Sequence, residues 1–171
     1  MTGNEESREL SHVAPDGSAR MVDVSAKADT NRMARATGSI RMSQAAFDAV
    51  RANLVKKGDV LGVARVAGIM AAKRTSELIP LCHPLPLHDL GVTSAPDPTL
   101  PGFRVEAIAR TVGKTGVEME ALTAASVALL TVYDMAKALD RTMVISDISL
   151  ARKVGGRGGE YTRLDGTAVA P

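Results

Sequence analysis

An acid and an amine stand three residues apart on one predicted helix, and this pair is the strongest candidate for chemistry in the chain. Asp134 and Lys137 lie near the end of a stretch without Gly or Pro that runs from Val117 to Leu139 and is apolar nearly all round. Residues three apart share one face of a helix. In a half-buried cleft such a pair can trade protons with a substrate. On an exposed helix end the same pair is a common salt bridge of little energetic value, and the spacing leaves both interpretations open.

Two further carboxylates, Glu118 and Glu120, lie in the first turn of the same predicted helix. Acidic residues there complement the positive end of the helix dipole whether or not they bind a ligand. Glu120 shares a helical stripe with Asp134, but the helix between them spans about 21 Å at 1.5 Å per residue. One small ligand on one chain would hardly touch both. If both act, we expect a long ligand or two subunits that contribute opposite ends of the helix.

A cysteine and a histidine are adjacent in the proline-stiffened segment Leu81-Cys82-His83-Pro84. A loop histidine can act as an acid, a base or a phosphate donor near neutral pH, and it can equally bond only the backbone. We predict no metal site, because Cys82, His83 and His88 do not have the spacing of zinc ligands. The chain's one cysteine also excludes an internal disulfide and favours a reducing, cytoplasmic location.

Basic residues cluster locally although the formal net charge is only +2. The clusters include Lys56-Lys57, Lys73-Arg74 and Arg152-Lys153. Such clusters in a near-neutral protein favour a small anionic ligand over a polyanion, although each residue taken alone is better interpreted as a solvated charge. Gly113-Lys114-Thr115 is not a Walker phosphate loop, because Ile108 stands where that loop needs a glycine. The segment can still hold an anion at a helix N-terminus.

The composition narrows the possible functions. With two Phe, two Tyr and no Trp, the chain has few rings on which bases could stack, so we expect no nucleic-acid partner. The polar, acidic N-terminus is unlike a signal peptide. The longest apolar stretch, Ala121 to Val132, is interpreted as too short to cross a bilayer, so no membrane association is expected.

The elements that must position these residues can be predicted from periodicity. Alternation of apolar and polar residues predicts strands over Arg35–Met42, Leu87–Ser94, Phe103–Val112 and Met143–Val154. Helical spacing with capping residues predicts helices over Gln44–Lys56, Val60–Leu78 and Val117–Leu139. In the last strand, Val144, Ser146, Ile148 and Leu150 are expected to face one way. Residues Ala95 to Gly102 are predicted to form a turn.

This order of elements predicts an α+β fold: a ferredoxin-like antiparallel sheet with helices packed on one face and one added helix. Residues 1–20 are interpreted as a flexible N-terminal arm and residues 160–171 as a flexible C-terminal tail. Residues 21–159 then form a single catalytic domain, with a glycine-rich stretch, Gly155 to Gly159, at its end.

Five segments together resemble the cyclic pyranopterin monophosphate synthase family, the C protein of molybdenum cofactor biosynthesis. The resemblance is carried by Met21 to Lys27, Lys57 to Val60, Ala64 to Thr75, Leu78 to Pro84, and Gly113 to Lys137. These motifs stand in the family's order and cover most of the chain from about Leu10 to Gly159.

The resemblance implies an enzyme that converts a cyclised 7,8-dihydro-GTP to cyclic pyranopterin monophosphate and releases pyrophosphate. It implies a lyase without a cofactor, a homohexamer built as a trimer of dimers, and an active site between subunits. Asp134 and Lys137 match the catalytic acid/base pair, and Lys57 and Lys153 match lysines of the same pocket. The matched substrate-binding positions are Leu81, Cys82, His83, Met119, Glu120, Glu118, Arg32, Lys73 and Arg74.

The tail departs from the family pattern, because Gly-Gly-Arg-Gly-Gly replaces the common Gly-Gly-Lys-Ser-Gly. Arg157 keeps the charge for phosphate binding but does not exchange a proton near neutrality. Two rival hypotheses remain. One is a non-catalytic nucleotide-binding or assembly module that uses Asp134 and Lys137 as a structural bridge. The other is an RNA-binding ferredoxin-like domain, which the missing sheet aromatics disfavour.

Overall fold

The computed structural model describes residues 16–156 and 158–163, which form one sheet with helices against it. The strands are β1 (Thr30–Arg41), β2 (Asp89–Asp97), β3 (Gly102–Gly113), β4 (Val144–Val154) and β5 (Tyr161–Thr162). The helices are α1 (Gln44–Arg51), α2 (Val60–Ala72), α3 (Thr75–Leu78) and α4 (Glu118–Ala136). The strand order is β2-β3-β1-β4-β5, and every neighbouring pair is antiparallel. The predicted α+β, ferredoxin-like fold is confirmed.

Small side chains let the central helix lie close to the sheet. Ala34 and Ala36 on β1 and Ala107 and Ala109 on β3 are fully buried at alternate positions. Alternate residues of a strand share one face, so these alanines form a shallow surface on which a helix can pack. The inner residues of α4 are also mainly small, which explains how the chain builds a core with few aromatic rings.

Helices α2 and α4 run side by side in opposite directions. Lys57, just before α2, contacts Asp134 near the end of α4, while Gly68 faces Ala124 and Ala128 in the middle. A Cβ atom on Gly68 would lie 2.7 Å from the Ala124 carbonyl oxygen, so only glycine permits this approach. The C-terminal end of α2, with Lys73 and Arg74, therefore points toward the N-terminus of α4.

The central helix is longer than the apolar stretch identified in the sequence. Among the described residues, α4 is the one helix that is long and apolar enough to cross a membrane by length and composition alone. The stretch Ala121 to Val132 is short, but the helix that contains it is not, so length alone does not exclude a membrane span. However, 56% of its most apolar part is buried inside the fold, and Leu129 and Val132 have no exposed surface. Burial of this extent is typical of a helix in the core of a fold.

Several predicted boundaries were wrong, among them the start of β1, which lies at Thr30 rather than Arg35, and three of the errors have identifiable reasons. Helix α1 ends at Arg51 rather than Lys56, because Asn53, two residues farther on, takes a left-handed conformation with φ of 56°. The predicted Val60–Leu78 helix breaks after Ala72, whose carbonyl accepts a hydrogen bond from the Thr75 hydroxyl at 3.0 Å. Strand β2 continues to Asp97 through Pro96, which is tolerated because β2 is an edge strand.

The predicted alternation along β4 is also wrong, because the strand contains a bulge. Asp147 has φ of 57°, and the pairing with β1 shifts between Ser146 and Ser149. An extra residue in one strand makes the residues beyond it point to the opposite face of the sheet. Consequently Leu150 packs against the core together with Ile145, whereas Ile148 is 40% exposed.

The short strand β5 lies in the segment that the sequence analysis treated as a tail. Tyr161 pairs with Lys153 and Thr162 with Arg152, and Arg152 forms a 2.8 Å ion pair with Glu160. The first fifteen residues of the predicted arm, Arg157 and the last eight residues of the tail lie outside the described residues. The division into arm, domain and tail therefore stays a prediction.

Candidate active site

The C-terminal end of α4 carries a compact group of one carboxylate and two amines. Lys137 Nζ lies 2.7 Å from Asp134 Oδ1, and Lys57 Nζ lies 3.1 Å from Asp134 Oδ2. Lys57 also donates a 2.8 Å hydrogen bond to the Asp134 backbone carbonyl. Carbonyls in the last turn of a helix have no partner within the helix, and α4 has no basic residue of its own there, so Lys57 complements this helix end. The predicted Asp134–Lys137 pair therefore exists, with Lys57 as its third member.

In the single chain this triad is open to solvent. The exposed fractions of the three side chains are 59% for Asp134, 52% for Lys137 and 46% for Lys57. Hydrogen bonds from Lys137 and then Lys57 lower the pKa of Asp134 below its usual value, so the carboxylate stays ionised. An ionised carboxylate between two ammonium groups can orient a substrate and accept a proton, but one chain alone provides no enclosing wall for it.

The N-terminal end of α4 has the opposite character, because it lines a cavity of about 320 Å³. The walls come from the loop between α3 and β2, the start of α4 and residues 22–27. They include the predicted residues Leu81, Cys82, His83, Glu118, Met119 and Glu120. Val117, at the N-cap position, supplies no side-chain acceptor for the first backbone N–H groups of the helix. These donors therefore favour an anion or another acceptor at this end.

Glu120 is the buried carboxyl group of this cavity, with only 4% of its surface exposed. Burial, assisted by the nearby charge of Glu118, raises the pKa of Glu120 above its usual value. Burial and the proximity of Glu120 likewise raise the pKa of the Cys82 thiol. Within the described residues the Glu120 carboxylate has no hydrogen bond or ion pair with another residue, and a hydrogen bond from its own backbone N–H opposes part of the rise in pKa. It is therefore available to a ligand as either acceptor or, when protonated, donor.

A second cavity of about 530 Å³ adjoins the first and is rich in positive charge. Lys27, Arg32, Lys114 and Lys153 line it, together with Gly155 and Gly156. Lys153 Nζ forms a 3.0 Å ion pair with Glu118 Oε1. Arg32 donates 3.2 Å hydrogen bonds to the carbonyls of Gly113 and Lys114. Four cations around one open cavity fit a polyphosphate better than a neutral group.

The glycines of this second cavity are required by the position of Arg32. Gly155 and Gly156 have φ of 102° and 78°. A Cβ atom on Gly156 would overlap the Arg32 guanidinium, and one on Gly155 would overlap the Asn31 carbonyl. The glycine-rich stretch thus wraps the cavity closely at its beginning, while Arg157 lies outside the described residues.

The structure brings the predicted residues together in two groups rather than one. Asp134, Lys137 and Lys57 form the first group. The second comprises Leu81, Cys82, His83, Glu118, Met119, Glu120, Arg32 and Lys153. Lys73 and Arg74 are exposed at the C-terminal end of α2, toward the second group. The length of α4, about 1.5 Å per residue, separates the groups by about 21 Å.

Two basic cavity residues were not identified as site residues from the sequence. Lys27 lines both cavities, and Lys114 lines the second. Lys27 lies within a segment that carried the family resemblance, which was the signal that pointed to it. Lys114 was weighed only as part of a failed phosphate loop. Within the described residues no three His, Cys, Asp or Glu side chains are placed to hold a metal ion.

An antiparallel α+β scaffold with an acid–amine triad and a cation-lined cavity is typical of an enzyme that acts on a small anionic substrate. Comparison with known proteins narrows this class. The sequence model of the MoaC family matches residues 21–156, and the chain belongs to this family.

Proteins of similar sequence agree with this assignment. The chain is 55% identical over 155 residues to a cyclic pyranopterin monophosphate synthase of Nostoc sp., covering 91% of this chain and 92% of that protein. It is 54% identical over 159 residues to the synthase of the same name in Brucella ovis, covering 93% and 96%. It is 53% identical over 152 residues to that of Trichodesmium erythraeum, covering 89% and 92%.

Proposed function

We propose that this chain is a cyclic pyranopterin monophosphate synthase, a lyase of molybdenum cofactor biosynthesis. It converts cyclised 7,8-dihydro-GTP to cyclic pyranopterin monophosphate and releases pyrophosphate. The observation that carries the proposal is family membership together with relatives of that name that match nearly the whole chain. The single cysteine is consistent with our placing the reaction in the cytoplasm.

We assign the proton transfers of ring opening and closure to Asp134 and Lys137, with Lys57 beside them. The lowered pKa of Asp134 keeps a base available, and the ammonium of Lys137 at 2.7 Å is the matching acid. Lys153, Arg32 and Lys27 in the second cavity hold the triphosphate and stabilise the departing pyrophosphate. The base and sugar then occupy the first cavity, against Leu81, Cys82, His83, Met119 and Glu120.

A reaction that uses both ends of α4 requires two copies of the chain. The outer face of α2 supports such a pairing, because Val63, Val66 and Met70 are 47%, 55% and 51% exposed and form one stripe. Residues at i, i+3 and i+7 lie along one side of a helix, and an exposed stripe of this kind is typical of a helix that packs on another. We propose that a second copy covers this stripe in an antiparallel, two-fold arrangement.

Charge complementarity favours the antiparallel direction. Asp59 precedes the stripe and Lys73 follows it, each seven residues from Val66. A two-fold axis near Val66 would set Asp59 of each copy beside Lys73 of the other. Because α2 and α4 are antiparallel neighbours, the same axis would bring the Asp134 triad of one copy toward the Glu120 cavity of its partner. Three such dimers would give the proposed homohexamer.

The activity is tested directly by incubating the protein with purified cyclised 7,8-dihydro-GTP and measuring pyrophosphate and the pterin product. Formation of both at equal rates supports the proposal. Binding of the substrate without turnover would refute it and support a non-catalytic binding module. That rival has one observation in its favour, since the exposed ion-paired triad resembles an ordinary surface salt bridge.

The shared site is tested by mixing two inactive variants that are altered at opposite ends of α4. Lys137→Ala disables the triad, and Lys153→Ala disables the cationic cavity. In a mixed dimer one of the two sites receives both intact halves. Random re-association should therefore restore about a quarter of the parental activity. Activity that stays at the level of either variant alone, after exchange of subunits has been verified, would refute a site shared between copies.

A further inference from the structure

The segment of residues 22–28 separates the two cavities. Val22 and Val24 line the first cavity, Ala26 and Ala28 line the second, and Lys27 lines both. Val22, Val24 and Lys27 are half-buried, whereas the residues between them are exposed. The side chain of Lys27 has no hydrogen-bond or ion-pair partner in the described part of the chain. Its ammonium is therefore free to meet an anion that spans the two cavities.

This segment belongs to no helix or strand and is held by side chains from the cavity walls. Its internal bonds are short-range, from Lys27 N to Val24 O at 3.0 Å and from Ser25 N to Asp23 Oδ1 at 2.8 Å. Two hydrogen bonds connect it to the described remainder of the protein. Lys114 Nζ donates to the Ser25 carbonyl at 2.6 Å, and His83 Nε2 lies 2.8 Å from the Val22 carbonyl. A carbonyl only accepts, so His83 Nε2 carries the hydrogen.

We propose that Lys114, together with His83, fastens residues 22–28 as a strap between the cavities and thereby positions Lys27 for the anionic part of the ligand. Lys114 is a positioning residue in this scheme, because it acts through Lys27. The 2.6 Å bond is charge-assisted and is the shorter of the two attachments. An ammonium has three donors, so Lys114 can keep this bond while an anion occupies the second cavity. The inference rests on the proposed function only for the identity of the ligand.

The fastening is tested by hydrogen exchange of the ligand-free protein. Lys114→Met keeps the length of the side chain but removes its donors, and we expect the two hydrogen-bonded amides of the segment, those of Ser25 and Lys27, to exchange about tenfold faster. Lys114→Arg retains a donor and should exchange like the parent. Arg41→Met removes one exposed charge at the opposite end of β1 and controls for the change in charge. Unchanged exchange in Lys114→Met, in a variant whose melting temperature matches the parent, would overturn the strap.

The positioning role is tested with inorganic pyrophosphate as the probe. We expect Lys114→Met and Lys27→Met each to weaken pyrophosphate binding by about tenfold, and the double variant to bind no more weakly than Lys27→Met alone. Independent, additive losses would instead make Lys114 a direct phosphate contact and overturn its positioning role. Failure of the parent to bind pyrophosphate would overturn the assignment of Lys27 to an anion.

These measurements separate the strap from the proposed function. Neither exchange nor pyrophosphate binding requires turnover, so a protein that makes no product can still show the fastening and the non-additive loss. Conversely, the protein could make product while residues 22–28 exchange equally in parent and Lys114→Met. The proposed function would then stand and the strap would be refuted.

Discussion

The two ends of α4 carry carboxylates in opposite electrostatic situations. Asp134 at the C-terminal end is 59% exposed and contacts two ammonium groups, which lower its pKa. Glu120 at the N-terminal end is 4% exposed and has no hydrogen bond or ion pair with another described residue, and burial raises its pKa. One helix thus holds a carboxyl group whose pKa is lowered and another whose pKa is raised.

This difference separates the roles that the two ends can take. A carboxylate held ionised beside an amine can exchange protons repeatedly, because its partner restores the charge balance after each transfer. A buried carboxyl group is instead suited to ligand selection, since most of its hydrogen-bonding capacity is unused until a complementary group enters. The opposite pKa shifts of the two carboxyl groups are the reason why we propose chemistry at the exposed end and recognition at the buried end.

The largest effect is expected from removing the exposed acid–amine pair. Lys137→Ala and Asp134→Asn should each lower turnover by about 100-fold or more, because each removes a proton-transfer group. Substrate affinity and melting temperature should stay near the parental values, since an exposed ion pair contributes little to folding. Product formation and calorimetry measure the two effects.

A second helix supplies the matched control. Asp48 and Arg51 form an exposed i,i+3 ion pair on α1, at 3.5 Å. Asp48→Asn should leave both turnover and melting temperature unchanged. Equal turnover in Asp134→Asn and Asp48→Asn would reduce the triad to a surface salt bridge and remove the contrast between the two helix ends.

The second largest effect is expected on stability, from a change at Gly68, which contacts α4 midway between its two ends. Gly68→Ala should destabilise the protein by about 1–2 kcal/mol, because the new Cβ meets the backbone of α4, which cannot move aside cheaply. Chemical denaturation measures this loss. Gly91→Ala, with nothing within 4 Å of the added atom, is the control and should change little. A stabilised Gly68→Ala would mean that helix propensity outweighs the contact and that α2 and α4 are not held this closely.

The sequence predicted the helix that separates the two ends but not every residue at those ends. Periodicity and the absence of Gly and Pro placed a helix over Val117–Leu139, close to the observed Glu118–Ala136. The Asp134–Lys137 contact followed from helical spacing. Lys57 lies 77 residues before Asp134, so no local pattern brings them together, and only the family resemblance pointed to it.

Features that depend on three-dimensional packing escaped the sequence. The β4 bulge depends on the left-handed conformation of Asp147, which a non-glycine residue rarely adopts and which the alternation did not signal. From the sequence, a buried Glu120 could not be distinguished from an ordinary exposed carboxylate in the first turn, because both have the same position in a helix. Lys27 became recognisable only when two cavities were found on either side of it.

A smaller, pH-dependent effect is expected from the buried end. Because the pKa of Glu120 is raised on folding, the folded chain binds the proton more tightly, and stability falls as pH rises from the ordinary glutamate range through the raised pKa. Glu120→Gln removes this penalty. Its melting temperature should exceed that of the parent by a few degrees at neutral pH, and the difference should vanish near pH 3, where both side chains are neutral.

The exposed Glu77 on α3 provides the comparison, and Glu77→Gln should show no such pH-dependent gain. A Glu120→Gln variant that is less stable than the parent at neutral pH would mean that the carboxylate has a stabilising partner. Glu120 would then resemble Asp134, and the two ends of α4 would not differ in the way described.

The smallest effect is expected at Cys82, which reports on the charge of Glu120. Burial is the main cause of the raised thiol pKa and the Glu120 charge is the second, so Glu120→Gln should lower the pKa only partly. The thiolate is the reactive form, and alkylation by iodoacetamide at pH 8 should therefore speed up by about two- to threefold. As a control, the thiols of denatured parent and denatured variant should be alkylated at equal rates, which excludes a difference in the reagent as the cause. Slower alkylation in the folded variant would mean that Glu120 is already neutral and that its replacement only narrows access to the thiol.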